Sequence, residues 1–290
     1  MTRILAAVIL FSPAVLRADT LEERLAPLAQ AHKGQVSIAV KPLEKGETYT
    51  LYADEPMPTA SLIKLAVMVE AYWQAEEGKV NLTDTVTLRK EDMVPGSGIL
   101  TEHFSPGATF SLRDAVRMMI VFSDNTATNL VLDKTGIKPV NERMASLKLP
   151  HTRIHAKVFR GSTTSIDPES TKKFGLGCTT ANEMVSLLEM IHKGRVVDEA
   201  ACKEMIGHLK KCEDKDKFPR FLPPGVAVAH KTGSVSDART DAGILYLKTG
   251  PVAVCVMTTK NDDKTWTPDN AGNLLCAKVA KTVCDFYSPK

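Results

Sequence analysis

The chain has 290 residues, the length of one large domain or two domains of ordinary size. Hydrophobic residues make up 43% and charged residues 24%, which is ordinary for a globular protein and argues against a fibrous or largely disordered chain. The formal net charge is only +3 and aromatic residues are 6%, so neither a strong basic field nor base-stacking platforms point to a nucleic-acid partner.

The chain opens with a pattern typical of a secretory signal. Residues 1–18 combine Arg3, an apolar run from Ile4 to Leu16, and the small residue Ala18. The run is shorter than the about 20 residues that a membrane-spanning helix needs, and no later segment reaches that length. We therefore expect an exported protein, periplasmic or secreted after cleavage of 1–18. An uncleaved anchor and a buried N-terminal helix are the alternatives.

Hydrophobic periodicity and cap signals predict the remaining elements. The first helix begins at Thr20, with Glu23 supporting its cap, and two strands follow within 35–53. The helical middle is predicted over 61–77, 111–122, 124–134, 140–147, 180–193 and 198–209. Residues 150–178 lose this periodicity, and loops that long are often functional. The chain ends with predicted strands at 226–230, 242–247 and 252–259 and a helix at 269–287.

This order of elements predicts a mixed α/β (α+β) fold. An antiparallel sheet built from both chain ends would be flanked by helices, with an all-helical domain inserted between its parts. The sheet domain is expected to comprise 19–58 with 210–290, and the helical domain 59–209.

The six cysteines all lie in the C-terminal part of the chain. They are Cys178, Cys202, Cys212, Cys255, Cys276 and Cys284. An even count in an exported protein permits disulfides, whose pairing the sequence leaves open. We expect small buried residues or structural bridges rather than a catalytic thiol. There is no C-x-x-C spacing, and we expect no metal.

The segment from Ser61 to Lys64 reads S-x-x-K and places a hydroxyl and an amine on one helix face. The apolar residues around Lys64 should desolvate its amine and lower its pKa, so that it can reach and deprotonate Ser61. Ser61 near the helix start also places its own amide where it can face an oxyanion. A second S-x-x-K at 170–173 falls in the irregular loop, where solvated charges are the better interpretation.

A second motif, Ser123-Asp124-Asn125, lies between two predicted helices. Ser and Asp both favour helix N-caps, which is one interpretation. The other is functional: Ser123 would relay a proton and Asn125 would hold the substrate through its amide.

The tripeptide Lys-Thr-Gly occurs three times. Gly136 is expected to end a helix and Gly250 to form a hairpin turn, which explains two copies. The third copy, within Lys231-Thr232-Gly233-Ser234, is expected where the strand VAVAH ends. There Gly233 would allow a ligand or backbone to approach closely. Lys231, Thr232 and Ser234 would offer charge and donors to a carboxylate.

In the order S-x-x-K, S-D-N, K-T-G, separated by about 60 and about 110 residues, the motifs resemble the class A β-lactamase-like branch of the penicillin-recognising serine acyltransferases. The resemblance covers nearly the whole chain after the signal. It implies the β-lactamase/transpeptidase-like fold and acyl transfer through a serine, without a cofactor. It also implies a small-molecule β-lactam or a peptidoglycan stem peptide as the substrate. We expect a monomer.

The resemblance also implies roles for the motif residues. Ser61 is the nucleophile, Lys64 its base directly or through a water, and Ser123 the proton donor to the leaving nitrogen. Asn125 would bind the substrate's side-chain amide, and 231–234 its carboxylate. The amides of Ser61 and Ser234 would form the oxyanion hole.

Arg239 is a further candidate partner for the substrate carboxylate. Its alternative interpretation is a surface arginine near Asp237 and Asp241. His230, beside Lys231, is expected to be a strand residue or to tune the site.

One departure from this family concerns the step that releases the acyl group. The family's Glu-x-x-x-Asn element is missing, because Asp167-Pro168-Glu169 is followed by Ser170 and Thr171, and an ungapped match puts Thr164 at the base position. Glu169 and Asp167 remain candidate deacylation bases, with a solvated loop carboxylate as the alternative. A general base contributes roughly 10²–10⁴-fold, so its loss would slow hydrolysis of the acyl-enzyme.

Three functions therefore stay open. The leading one is an exported β-lactam hydrolase. The second is a D-Ala-D-Ala carboxypeptidase, or penicillin-binding protein, and the third is a β-lactam sensor that acylates without fast deacylation. A zinc hydrolase is disfavoured, because Thr152 follows His151 where a zincin would have Glu.

Overall fold

The computed structural model describes residues 19–288, and the predicted signal segment lies outside the described residues. The strands are β1 (Gln35–Pro42), β2 (Tyr49–Leu51), β3 (Met57–Pro58), β4 (Thr85–Thr87), β5 (Thr109–Ser111), β6 (Arg153–Ile154), β7 (Gly177–Thr179), β8 (Ala227–Val235), β9 (Ala238–Leu247) and β10 (Gly250–Thr259). The helices are α1 (Leu21–Ala31), α2 (Lys64–Glu76), α3 (Leu100–His103), α4 (Leu112–Val121), α5 (Asn125–Thr135), α6 (Ile137–Ser146), α7 (Gly161–Thr164), α8 (Pro168–Phe174), α9 (Ala181–His192), α10 (Glu199–Lys210) and α11 (Ala271–Tyr287).

Strands from both ends of the chain form one antiparallel sheet in the order β2-β1-β10-β9-β8. Residues of β1 and β10 alternate between its faces, because side chains of a strand have a period of two. Ile38 and Val256 pack with α1 and α11, whereas Ala39 and Cys255 pack with the helices on the other side. The predicted α/β class with a sheet from both chain ends is confirmed.

Local cap chemistry sets the start of the first helix. The Thr20 hydroxyl accepts a hydrogen bond from the Glu23 amide at 3.2 Å, and the Glu23 carboxylate accepts one from the Thr20 amide at 2.9 Å. This reciprocal pair satisfies two amides that the helix cannot pair itself.

The helical part is centred on α2, whose residues are buried on nearly every side. A helix that is apolar all round belongs in a core rather than on a surface. The same hydrophobic cluster continues from α2 and α5 to the inner face of the sheet. The division into 59–209 and the two sheet segments therefore stays a proposal, since the core does not break there.

Residues 150–178 carry more structure than expected. The short elements β6, α7 and α8 lie within them, and β7 pairs with both β6 and β3. These elements are too short to produce a periodic pattern. The pairing of β7 with β3 ties the loop to the chain just before Ser61.

All six cysteines are buried and unbridged. They act mostly as small apolar residues, which is one of the two expected roles. None of the described helices has the length and apolar character that crossing a membrane requires.

Candidate active site

Ser61 lies in the 3-10 turn Ala60–Ile63, directly before α2. The preceding residue, Ala60, has φ of +47°, a left-handed conformation that is rare for a residue with a side chain. Such strained backbone clusters at functional sites. Ser61 lines two adjoining cavities of about 280 and 360 Å³, which together form a cleft.

Lys64 opens α2 and is fully buried. Its Nζ donates to the carbonyl of Ser123 at 2.7 Å, to Oδ1 of Asn125 at 2.8 Å and to Oγ of Ser123 at 3.3 Å. Burial, and then the charge of Lys231, hold the pKa of Lys64 well below its usual value. The expected direct contact with Ser61 is not among the hydrogen bonds of residues 19–288, because Lys64 turns toward the second motif.

Lys231 approaches the same motif from the sheet. It is fully buried, and its Nζ donates to Oγ of Ser123 at 3.0 Å and to the carbonyl of Thr232 at 2.7 Å. Burial lowers the pKa of Lys231, while the neighbouring Cys212 and Asp214 raise it in part. The hydroxyl of Ser123 therefore lies between two buried amines.

The two interpretations of Ser123-Asp124-Asn125 apply to different residues. Asp124 caps α5 by accepting from the Ala127 amide at 2.8 Å, and it also holds the amide of Ile99 at 2.7 Å. Ser123 (φ +52°) and Asn125 face the amines instead. One side chain therefore fixes the turn, and its two neighbours are free to face the cleft.

Lys231 to Ser234 lie inside β8, not beyond its end as expected from the sequence. β8 is the edge strand of the sheet, and its free side meets the Ser61 turn. A Cβ on Gly233 would lie 2.5 Å from Oγ1 of Thr240 and 2.9 Å from the amide of Leu62, and would clash with the carbonyl of Thr59. The glycine is needed because backbone, rather than a ligand, approaches there.

Arg239 is buried rather than on the surface, with 1% of its area exposed. Its guanidinium donates to the carbonyls of Val235, Ala238 and Thr265 and lies 4.8 Å from the ring centre of Trp266. With its donors committed to backbone carbonyls, Arg239 holds together the chain around the cleft. This position disfavours the expected role as a partner for substrate carboxylate.

The loop carboxylates do not reach the cleft. Glu169 is exposed in the first turn of α8, and Asp167 caps that helix by accepting from the amide and hydroxyl of Ser170 at 3.0 and 2.7 Å. Both hydrogen bonds lower the pKa of Asp167. No Asp or Glu is among the described residues that line the 360 Å³ cavity beside the loop. Thr164 is also committed, since its hydroxyl donates to the carbonyl of Arg160 at 2.7 Å.

Ser97 is a site residue that the sequence analysis missed. It lines both cavities, and its Oγ donates to the carbonyl of Ser123 at 2.7 Å. The sequence feature that could have identified Ser97 is the turn Pro95-Gly96-Ser97-Gly98, whose two glycines let this loop approach the Ser123-Asp124-Asn125 segment closely. A Cβ on Gly98 would lie 2.6 Å from Cα of Asp124.

Two aromatic rings stand at the mouth of the cleft. Phe159 and Trp266 are 65% and 70% exposed, and both line the 360 Å³ cavity. A larger cavity of about 790 Å³ lies elsewhere, between α1, β3 and α8, and none of the motif residues lines it.

A family model described as the beta-lactamase enzyme family matches residues 20–287. Beta-lactamase PSE-4 of Pseudomonas aeruginosa is 27% identical over 99% of this chain and 98% of its own length. A crystal structure of a beta-lactamase from Sphaerobacter thermophilus has 27% identity and a TM-score of 0.80, covering 91% of this chain and 97% of that one. A mutant of PBP-A, solved as an acyl-enzyme complex with penicillin G, shares the fold at 22% identity with a TM-score of 0.77, over 91% of this chain and 94% of its own.

Proposed function

This chain belongs to the beta-lactamase enzyme family, and we propose that it is an exported, class A-like serine enzyme that opens the β-lactam ring through an acyl-enzyme on Ser61. One observation carries the proposal. The buried amines of Lys64 and Lys231 converge on Oγ of Ser123, beside a cleft that Ser61 lines. Buried amines with lowered pKa values are costly to a fold and are typical of acid–base sites.

Acylation begins with transfer of the Ser61 proton to Lys64, directly or through a water. Because burial disfavours the charged form of Lys64, its amine is able to accept that proton. The Ser61 oxygen attacks the ring carbonyl, and the amides of Ser61 and Ser234 stabilise the oxyanion. The carbon–nitrogen bond then breaks, and Ser123 gives its proton to the leaving nitrogen.

Substrate binding would use the two other walls of the cleft. Lys231 and Thr232 on β8, with Ser234, would hold the carboxylate, and Asn125 on α5 the side-chain amide. Asn125 is already fixed for this, because its Oδ1 accepts from Lys64 and its Nδ2 donates to the carbonyl of Pro95 at 3.0 Å.

The residues available for hydrolysis of the acyl-enzyme favour a second candidate function. This is a D-Ala-D-Ala carboxypeptidase, or a sensor that acylates without fast deacylation. The supporting observation is the composition of the 360 Å³ cavity beside the loop, whose described lining residues include no carboxylate to activate water. The adjoining 280 Å³ cavity is lined by Glu213 and Asp214, which follow α10 rather than lie in the loop. Without a general base, hydrolysis of the acyl-enzyme should be slower by roughly 10²–10⁴-fold. We therefore expect efficient acylation followed by slow turnover.

Mixing the purified chain, without 1–18, with an excess of chromogenic cephalosporin separates these outcomes. A burst of one equivalent followed by slow turnover is expected; a long linear phase with no burst would indicate a fast hydrolase. Release of D-alanine from a stem-peptide substrate would identify the peptidase. Ser61→Ala should remove both the burst and the mass of the covalent adduct. An adduct that persists in Ser61→Ala would overturn the site.

Export and the monomeric state are part of the same proposal. Expression of the full chain followed by mass measurement of the periplasmic protein tests whether residues 1–18 are removed. Gel filtration with light scattering tests the monomer.

A further inference from the structure

The two aromatic rings at the mouth of the cleft, Phe159 and Trp266, are used by no step of the proposed acylation. Both line the 360 Å³ cavity that Ser61 and Asn125 also line. Single exposed apolar side chains are ordinary on a protein surface, but two large rings on one cavity indicate a binding surface. The cavity is large enough for a small organic group, since ligand pockets in proteins hold about 300–1,000 Å³.

The backbone of Phe159 is strained. Its φ is +55°, a left-handed conformation that is unusual for a bulky side chain. Such a conformation costs free energy, and burial of the ring does not offset that cost, because 65% of the residue is exposed. Strained residues of this kind cluster at active sites and at the places where proteins clamp a ligand.

The surrounding chain holds Phe159 in this conformation. The buried side chain of Asn129 donates from Nδ2 to the carbonyl of Val158 at 3.0 Å and accepts from the amide of Val158 at 2.8 Å. The ring of Phe159 meets Gly96, where an added Cβ would lie 3.3 Å from Cε2 of the ring. The ring is therefore fixed beside the cavity although most of its surface is exposed.

Trp266 is held by a buried cation. The guanidinium of Arg239 lies 4.8 Å from the centre of the indole ring and donates to the carbonyl of Thr265 at 2.6 Å. The amide and the hydroxyl of Thr265 donate in turn to Oδ1 of Asp263, at 2.9 and 2.7 Å. Arg239 thus occupies one face of the indole, and the rest of the ring remains accessible at the cavity.

The charges around the cavity favour a neutral ligand group. Aromatic faces attract cations as well as other rings. However, Arg239 already occupies one face of Trp266, and no Asp or Glu is among the described residues that line the cavity. Lys157, which does line it, pairs with Asp133. A cationic group would therefore meet no counter-charge in the lining, and an anionic group would compete with Asp133, whereas a neutral ring meets two aromatic side chains.

We propose that Phe159 and Trp266 form a specificity subsite for a neutral aromatic group on the acyl side chain of the β-lactam. The inference rests on the proposed function, because it assigns a substrate class to the same cleft. Asn125, which would hold the side-chain amide, lines the cavity together with both rings. An aryl group attached beyond that amide would enter this cavity. Offset or edge-to-face contacts with aromatic side chains stabilise such a group more than burial alone does.

Four penams with one nucleus and different acyl side chains test the subsite: phenylacetyl, cyclohexylacetyl, acetyl and glycyl. The burst of covalent attachment to the chain without 1–18 is measured against penam concentration. The phenylacetyl compound should half-saturate the burst at a concentration at least about tenfold below that of the acetyl compound. Cyclohexylacetyl should fall between them, because it is apolar but not aromatic. The glycyl compound, which carries an ammonium group, should do no better than acetyl.

Three results would overturn the subsite. They are equal half-saturation by all four penams, a cyclohexylacetyl compound that matches phenylacetyl, and a glycyl compound that exceeds acetyl. The first would mean that the rings do not select substrates. The second would leave only a hydrophobic surface, and the third would indicate a cation site.

Matched variants test each ring. Phe159→Gly removes the ring and relieves the strained backbone, so the fold should be retained. It should raise the half-saturating concentration of the phenylacetyl compound at least about fivefold, and leave that of the acetyl compound within about twofold. Trp266→Ala should act in the same way. Phe104→Ala removes an exposed ring that lines neither cavity of the cleft, and it should change neither value. An unchanged preference for phenylacetyl in folded Phe159→Gly and Trp266→Ala proteins would overturn the proposal.

Tryptophan fluorescence separates this test from acylation. The sequence has two tryptophans, and the other one, Trp73, lines neither cavity of the cleft. In Ser61→Ala, which should form no adduct, the phenylacetyl compound should change the tryptophan emission. Adding Trp73→Phe should keep that change, and adding Trp266→Phe should remove it. An unaltered chain that forms no adduct with any of the penams would refute the acylation proposal, whereas a signal that is absent or independent of Trp266 would overturn this one.

Discussion

Lys64 and Lys231, which are 167 positions apart in the sequence numbering, direct their buried amines at the same hydroxyl group, Oγ of Ser123, from 3.3 and 3.0 Å. Two like charges this close disfavour each other, and burial adds to that effect. Burial and the second positive charge therefore disfavour simultaneous protonation of the two amines, which lets the site accept a proton from one serine while supplying one through another.

The first prediction concerns the pH dependence of acylation. Because the pKa of Lys64 is lowered well below its usual value, its amine stays neutral to a lower pH than an ordinary lysine does, and it is protonated as the pH falls through that pKa. The rate of covalent β-lactam attachment should therefore fall on the acidic side. Stopped-flow measurement of the burst over a series of pH values from acid to alkaline checks this. Lys64→Gln should remove the burst at every pH. A pH-independent burst rate would contradict the role of Lys64 as base.

The second prediction concerns the loop carboxylates. Glu169→Gln should leave the rate of deacylation within about twofold, since the side chain is exposed and lies outside the cleft, and exposed substitutions have small effects. Asp167→Ala should instead lower the melting temperature, because it removes the N-cap of α8. Intact-mass measurement of the acyl-enzyme over time follows the first effect, and calorimetry the second. A loss of deacylation of about 10²-fold in Glu169→Gln would restore Glu169 as the base.

The third prediction tests the contact between β8 and the Ser61 turn. Gly233→Ala should lower the free energy of unfolding by about 1–3 kcal/mol and reduce acylation, because the new methyl group has no space beside Thr59 and Thr240. Gly207→Ala is the matched control. Among residues 19–288, no atom other than those of its chain neighbours and the backbone of α10 lies within 4 Å of the added Cβ, so this variant should gain about 0.5–1 kcal/mol. Urea unfolding of both variants gives the comparison; equal effects would contradict the packing role of Gly233.

The fourth prediction concerns stability at alkaline pH. The pKa of His230 is raised from 6.5 to about 10, so its ion pair with Asp241 stabilises the fold fully below pH 6.5. That contribution is lost progressively as the pH rises from 6.5 to about 10. The free energy of unfolding should therefore decline over this range in the wild-type chain and decline less in His230→Asn. Urea titrations at several pH values in this window measure the difference. Parallel curves for the two proteins would contradict a charged His230.

The sequence predicted the elements well wherever neighbouring residues define them. The cap of Thr20 with Glu23, the end of α5 at Gly136 and the hairpin between β9 and β10 all depend on residues a few positions apart. The sequence likewise placed Ser61 near a helix start, and the structure has it in the 3-10 turn directly before α2, which Lys64 opens. Local contacts of this kind can be predicted from the sequence because the interacting residues are close together in the chain.

Contacts between segments that are distant in the chain could not be predicted from the sequence. From the sequence we expected Lys64 to contact Ser61. In the structure its amine instead donates to the carbonyl of Ser123, 59 positions further along the chain. The sequence placed Arg239 on the surface or at the substrate, whereas the fold buries it among carbonyls. The buried ion pair between His230 and Asp241 joins β8 to β9, and no local pattern indicated it.

By itself, the sequence determined which chemical groups this protein possesses and in what order: a serine with a lysine three residues on, a second serine with an amide, and a lysine on a strand. The tertiary structure decided which of those groups are charged and which carboxylates reach the cleft. The physical reason is that protonation depends on burial and on the nearest charges, and both are set by packing across the fold rather than by spacing along the chain.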